Sequence, residues 1–225
     1  GDVTISGDLT VNGDGSGNYD EIINGALDIN IAGSLSNQEY TALRLKYDDS
    51  TGASTDSGVS LDWTWQDDAS SEATIGKIAV VRDNGDNYGA MKFYTANNGS
   101  NTLRMTIDDT GNVGIGASPL ATQTGYTLLQ LGGTGTFLSH TATGTDNGLI
   151  LAQNVQRDTD SSWEYIVADE ASIFEQSAGV HWFYTATAGS SGGDNITFAT
   201  NMKIDNNSRI SLSNNDGNTY NTVFG

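Results

Sequence analysis

The sequence predicts an all-β protein made of tandem antiparallel, sandwich-like modules, and three observations carry that expectation. Apolar residues recur at every second position in short runs, the spacing of strands with one buried face. Turn clusters rich in Gly, Asn, Asp and Ser separate the runs about every eight to twelve residues, the rhythm of all-β folds. Finally, the stretch Leu103–Gly116 is echoed by Met202–Leu212, with the five residues between its two apolar runs kept and an offset of 97 between Met105 and Met202.

The first 36 residues are expected to form a short β shaft that trimerises, and they alternate strictly. Val3, Ile5, Leu9 and Val11 form one apolar stripe and Leu27, Ile29 and Ile31 another, with Gly7, Gly13 and Gly33 at the gaps. Short glycine-spaced strands cannot make a stable domain alone, because an isolated hairpin is marginal and its edges stay unpaired. The stripe therefore needs a partner face. Two further copies of the chain would supply it; the alternative is the following domain of the same chain.

Residues 37–118 form a first expected module. Val59, Leu61, Trp63 and Trp65 share one parity, which places both tryptophans in the core. Strands follow over 75–81 and 89–96. Leu103–Ile107 and Val113–Ile115 then close as a hairpin across Asp108-Asp109-Thr110-Gly111-Asn112, with Ile107 opposite Val113 and Met105 opposite Ile115. The single proline, Pro119, marks the boundary as an extended connector.

Residues 119–213 repeat the plan. Gly148–Ala152 matches Gly58–Asp62, Trp163–Val167 is aligned with the strand at Ile75, and Gly179–Ala186 echoes Gly89–Ala96 with Phe-Tyr-Thr-Ala shared. That last offset is 90 (183 minus 93), so seven extra residues are expected in the loop near Ser190–Asp194, where added length costs little. Residues 214–225 are an Asn/Gly-rich connector, and the chain has the character of a piece of a longer protein.

Composition excludes several functions. A net charge of −19, from 28 acidic and 9 basic residues, repels nucleic-acid phosphate and anionic membrane surfaces. With no Cys there is neither a disulfide framework nor a thiolate metal site. No apolar run is long enough to insert in a membrane as a helix. Four Trp, nine Tyr and six Phe argue against disorder.

No catalytic residue, metal site or cofactor is expected. The adjacent acids Asp48-Asp49, Asp67-Asp68, Asp108-Asp109 and Asp169-Glu170 fall in turns, where Asp serves backbone hydrogen bonds rather than glycosidic cleavage. The run from Asp158 offers alternate oxygens, but Trp163 and Asp169 stand where a calcium loop needs Gly and Glu. His140 and His181 read as packed or surface imidazoles. Aromatic faces stack on sugar rings, and Trp163, Tyr88 and Trp182, beside turns or opposite apolar neighbours, are the candidate glycan-binding residues.

The wording RMTIDDTGNVGIG (Arg104–Gly116) and GDVTISGDLTVNG (Gly1–Gly13) resembles long tail-fibre and receptor-binding fibre proteins of tailed bacteriophages. The resemblance implies an elongated homotrimer, a structural part of the extracellular virion fibre. Its partners would be other tail proteins and a host-surface glycan, and a longer precursor would carry a self-cleaving C-terminal chaperone. Two other readings stay open: a monomeric bacterial adhesin or carbohydrate-binding module, and a polysaccharide-degrading tailspike. The tailspike lacks support from any short β-helix coil repeat.

Overall fold

The computed structural model describes residues 43–46, 55–66, 71–83, 87–143, 148–213 and 220–224, with side chains up to residue 211. The proposed shaft residues Val3 to Ile31, the pairs Asp48-Asp49 and Asp67-Asp68, and most of the connector lie outside the described residues. Contacts divide the chain into Gly1–Leu45 and Lys46–Gly225, and every described strand belongs to the second unit. The protein is all-β, with no helix among the described residues.

The strands are β1 (Gly58–Gln66), β2 (Glu72–Arg82), β3 (Gly89–Asn97), β4 (Ser100–Ile107), β5 (Val113–Ile115), β6 (Tyr126–Leu131), β7 (Gly135–His140), β8 (Leu149–Gln153), β9 (Val155–Arg157), β10 (Trp163–Tyr165), β11 (Ala171–Ser177), β12 (Val180–Ala186), β13 (Ala199–Ile204), β14 (Ile210–Ser213) and β15 (Tyr220–Phe224). Thirteen of them hydrogen-bond in the order β1-β2-β3-β4-β5-β6-β7-β8-β11-β12-β13-β14-β15, while β9 and β10 form a separate antiparallel ribbon. Every pairing in the large sheet is antiparallel except β5 with β6.

The internal repeat is visible in the register. β3 pairs with β4 through a bulge at Phe93/Tyr94, and β12 pairs with β13 through a bulge at Phe183/Tyr184. The extra residue is Arg104 in one and Asn201 in the other. Arg104 Nε donates to Thr95 Oγ1 at 2.9 Å, and Asn201 Nδ2 donates to the equivalent Thr185 Oγ1 at 2.7 Å. A bulge twists and re-aims its strand, so repeating it at the same dipeptide repeats the local geometry. The seven additional residues fall between β12 and β13, as expected. The alignment of 163–167 with the Ile75 strand does not hold. The position of β2, beside β3, is taken by β11 beside β12, while Trp163–Tyr165 leaves the sheet for the ribbon.

One turn is used three times. The amide of Asp108 donates to Asn112 O and Gly111 N to Asp108 O; Asp158 with Ser162 and Ser161, and Asp205 with Arg209 and Ser208, make the same two bonds at 3.0–3.1 Å. The fourth residue is left-handed in each, with φ of 86° at Gly111, 77° at Ser161 and 64° at Ser208. The opening carboxylates of the first and third turns cap the chain. Asp108 accepts from Thr110 N and Asn112 N, and Asp205 from Asn207 N and Arg209 N. The Arg209 guanidinium also bonds Asp205, holding its carboxyl down at about 2.

Two buried amides hold the parallel joint. Asn112 Oδ1 accepts from Leu128 N at 3.0 Å, tying the β4–β5 turn to β6, and Gln130 Oε1 accepts from Leu120 N at 3.0 Å. The chain then folds tightly back over Gly114, where a Cβ would sit 2.3 Å from Ala117 O and 2.7 Å from Pro119 N. Asn154 is fully buried, takes a left-handed φ of 59°, and places its amide nitrogen 3.0–3.1 Å from the carbonyls of Val167, Asp169 and Glu170. Its Oδ1 accepts from Val167 N at 2.8 Å, so one side chain anchors the whole 167–170 loop.

Gly114→Ala should cost about 3 kcal/mol in urea unfolding, because backbone rather than a flexible side chain blocks the new methyl. Ser161→Gly and Ser208→Gly should each add about 0.5–1 kcal/mol by relieving a left-handed non-glycine residue, with Gly111→Ser losing a similar amount. Stability equal to the parent's in all three turn variants in the same denaturant series would refute the shared-turn account.

Candidate functional site

Successive side chains of a strand point to opposite faces, so the register divides the sheet into two surfaces. One surface is filled. Ala79, Val81 and Ala90 are buried against Tyr94 in the β1–β5 region, and Leu128, Leu138, Ile150, Ala152, Ala171, Ile173 and Ala186 are buried with Val155 and Tyr165 of the ribbon. Each fully buried large aliphatic side chain there contributes about 1.5–3 kcal/mol.

Among the described residues, nothing covers the other surface. Cross-strand partners run in one unbroken row, Val59–Val80–Met91–Ile107–Val113–Leu129–Phe137–Leu151–Phe174–Phe183–Met202, across eleven strands. No member is charged and none is fully buried, with Val80 48% and Leu151 44% exposed. A second row, Leu61–Ile78–Phe93–Met105–Ile115–Leu131, lies beside it. Trp63 and Trp65, expected in the core, extend this surface and are 51% and 65% exposed. Parity places them with Leu61, but among the described residues no layer covers the face they share. The expected pairs Ile107 with Val113 and Met105 with Ile115 are present.

On the filled surface the structure brings two of the three candidate aromatics together. Trp163 of β10, Glu175 and Ile173 of β11, Tyr184 of β12 and Phe198 line a cavity of about 210 Å³. Tyr184 meets Phe198 at 6.0 Å and stacks on Trp182 at 5.9 Å and 12°. The Lys203 ammonium lies 4.3 Å from the Trp182 ring centre and the Arg157 guanidinium 4.6 Å from that of Trp163. Tyr88 stands apart, exposed at the turn into β3 and seven positions along the ladder from β12. A separate hollow of about 500 Å³ beside the joint is lined by Asp109, Thr124, Tyr126, Thr141 and Thr159, among others.

Glu175 is the group sequence reasoning missed. Burial raises its carboxyl above the ordinary value, partly offset by a hydrogen bond from Tyr184. Among the described residues no Lys or Arg is paired with it. The period-two pattern does place Glu175 with Ile173 on the inner face, a signal that an inward acid awaits a partner.

In each described pair of adjacent acids, the first serves the backbone. Asp108 is spent on its own turn, and Asp169 Oδ1 accepts from Glu170 N at 2.9 Å. Carboxylate oxygens of Asp158, Asp160 and Glu164 come within 4.8 Å of one another. Ser162 hydrogen bonds and the Arg157 charge lower the Asp160 carboxyl, and Gln156 Nε2 donates to Glu164. His140 Nδ1 accepts from Ala142 N and its ring meets Tyr126 edge-on, while His181 stacks on Phe174. Comparison with protein-family models and with curated proteins finds no match.

Because the folded state raises the Glu175 pKa, its contribution favours folding below the unfolded value near 4.5 and is lost as pH rises through the folded value. Glu175→Gln should therefore melt higher than the parent at pH 7, with the gap closing below about pH 4. An unchanged gap across that range in thermal scans would show that the carboxylate is not the cause.

Proposed function

We propose that this chain is a structural segment of a homotrimeric bacteriophage tail fibre, non-enzymatic, that carries attachment of the virion to its host. The observation that carries the reading is the uncovered apolar row. Eleven strands present uncharged side chains on one face, and soluble monomers rarely leave so long an apolar surface in water. Sister copies are the natural cover, because a chain of net charge −19 can approach its own kind only through a face free of carboxylates. The β1–β5 region adds support, since its own core amounts to Ala79, Val81 and Ala90.

The tail-fibre wording falls on β4, its turn and β5, the elements that fix the parallel joint. In this reading the shaft stripe Val3, Ile5, Leu9, Val11, Leu27, Ile29 and Ile31 is a further interchain contact. Trimeric assembly multiplies weak surface contacts into avidity, and Tyr88, Trp163, Trp182 and the hydroxyl-lined hollow are the surfaces a host glycan would meet. Other tail proteins would hold the segment at its ends.

Sedimentation at micromolar concentration should give about three chain masses of 23.7 kDa each. Val80→Asp with Leu151→Asp should reduce that to one chain mass while the far-ultraviolet circular dichroism stays β-rich. A parent chain that sediments as one folded copy, its apolar row protected by its own residues, would overturn the fibre reading and favour the adhesin alternative.

A further inference from the structure

We propose that the cavity between Trp163, Glu175, Tyr184 and Phe198 binds a small organic cation, a quaternary or methylated ammonium group. The four side chains come from the ribbon, from two neighbouring strands of the sheet and from the end of the β12–β13 loop, so folding itself assembles them. Three aromatic side chains and one carboxylate line the same space, a set of groups that suits an ammonium ion.

The carboxylate supplies the charge. Glu175 is half-buried, Tyr184 hydrogen-bonds to it, and no described Lys or Arg is paired with it. A half-buried anion without a counter-ion is costly, and a ligand cation seated among the rings would relieve that cost. Two nearby cations already sit on aromatic rings of this region. Arg157 lies over Trp163 with its Nε donating to Gln123, and Lys203 lies over Trp182, the cross-strand neighbour of Glu175. They show that these rings hold cations, while among the described residues no Lys or Arg is paired with the Glu175 carboxylate itself.

Size and polarity favour a small cation within the cavity itself. At about 210 Å³ the cavity is smaller than a drug-sized pocket and suits one trimethylammonium head with a short stem. A sugar ring needs several polar anchors to fix its hydroxyls, and this lining offers one carboxylate and one phenol. The overall charge of −19 also draws cations to the surface and repels acidic glycans. The inference goes beyond the fibre reading and does not depend on it, because a monomeric chain keeps the cavity intact.

The test is titration of the full chain, at constant ionic strength, with choline chloride and with 3,3-dimethylbutan-1-ol, the uncharged molecule of the same shape. Tryptophan fluorescence and methyl-region NMR report binding. Choline should saturate, and its neutral counterpart should bind at least about 10-fold more weakly. Glu175→Gln should weaken choline about 10-fold and leave the alcohol unchanged. Phosphatidylcholine vesicles, run beside phosphatidylglycerol vesicles, identify the source. Binding to the first supports a lipid headgroup, and binding of free choline alone supports a soluble or glycan-borne ammonium. Equal affinity for choline and the alcohol, no saturation by about 100 mM, choline binding unaffected by Glu175→Gln, or tighter binding of methyl glucoside would each overturn it.

Discussion

Everything in this fold depends on a sheet that has filled one of its faces and left the other apolar. A strand delivers side chains alternately to two sides, so a sequence that is apolar at both parities asks for two covering layers. The β9–β10 ribbon and the long β12–β13 loop supply one layer, over Leu128, Leu138, Ile150 and Ile173. No described part of the chain supplies the other, although the row from Val59 to Met202 is as regular as any core stripe. That mismatch is what turns a description of strands into a statement about partners.

The register of the row is protected by unusual means. A one-residue slip anywhere would exchange the two faces, and a ladder of thirteen strands offers many places to slip. The repeated five-residue turn sets the pairing of β4 with β5, β9 with β10, and β13 with β14. At the joint between β5 and β6, where no hairpin exists, buried Asn112 and Gln130 replace turn geometry with side-chain hydrogen bonds. Such amides cost desolvation when misaligned, so they penalise the wrong register as well as stabilising the right one.

Much of this was legible in the residues. The alternation of Leu103, Met105 and Ile107 against Val113 and Ile115 gave the hairpin and its partners, and the shared Phe-Tyr-Thr-Ala marked two strands that carry the same bulge. Three features were not. Trp163-Glu164-Tyr165 alternates like any strand, and nothing local says that it leaves the sheet for a ribbon; the buried Asn154 clamp on the loop that follows decides that through tertiary contact. After Pro119 the chain returns to pair β6 in parallel with β5, a long-range contact that period-two patterns cannot encode. Trp63 and Trp65 share the parity of Leu61, but parity states which residues share a face and is silent on whether anything covers it.

The acidity and the apolar row explain one another. Carboxylates placed on turns keep separate particles apart by mutual repulsion, while an interchain face must be free of them to bury at all. The described acids follow that division, with Asp108, Asp158, Asp160, Asp169, Asp194 and Asp205 all in turns or loops and engaged in local backbone bonding. Of the described acids on strands, Asp62 and Glu72 are exposed and Glu164 accepts from Gln156, whereas Glu175 is half-buried on a central strand and turned to the inner face. A carboxylate that serves neither solubility nor a turn, and that burial penalises, has no structural reason to remain ionisable. It is therefore the described acid whose position calls for a ligand.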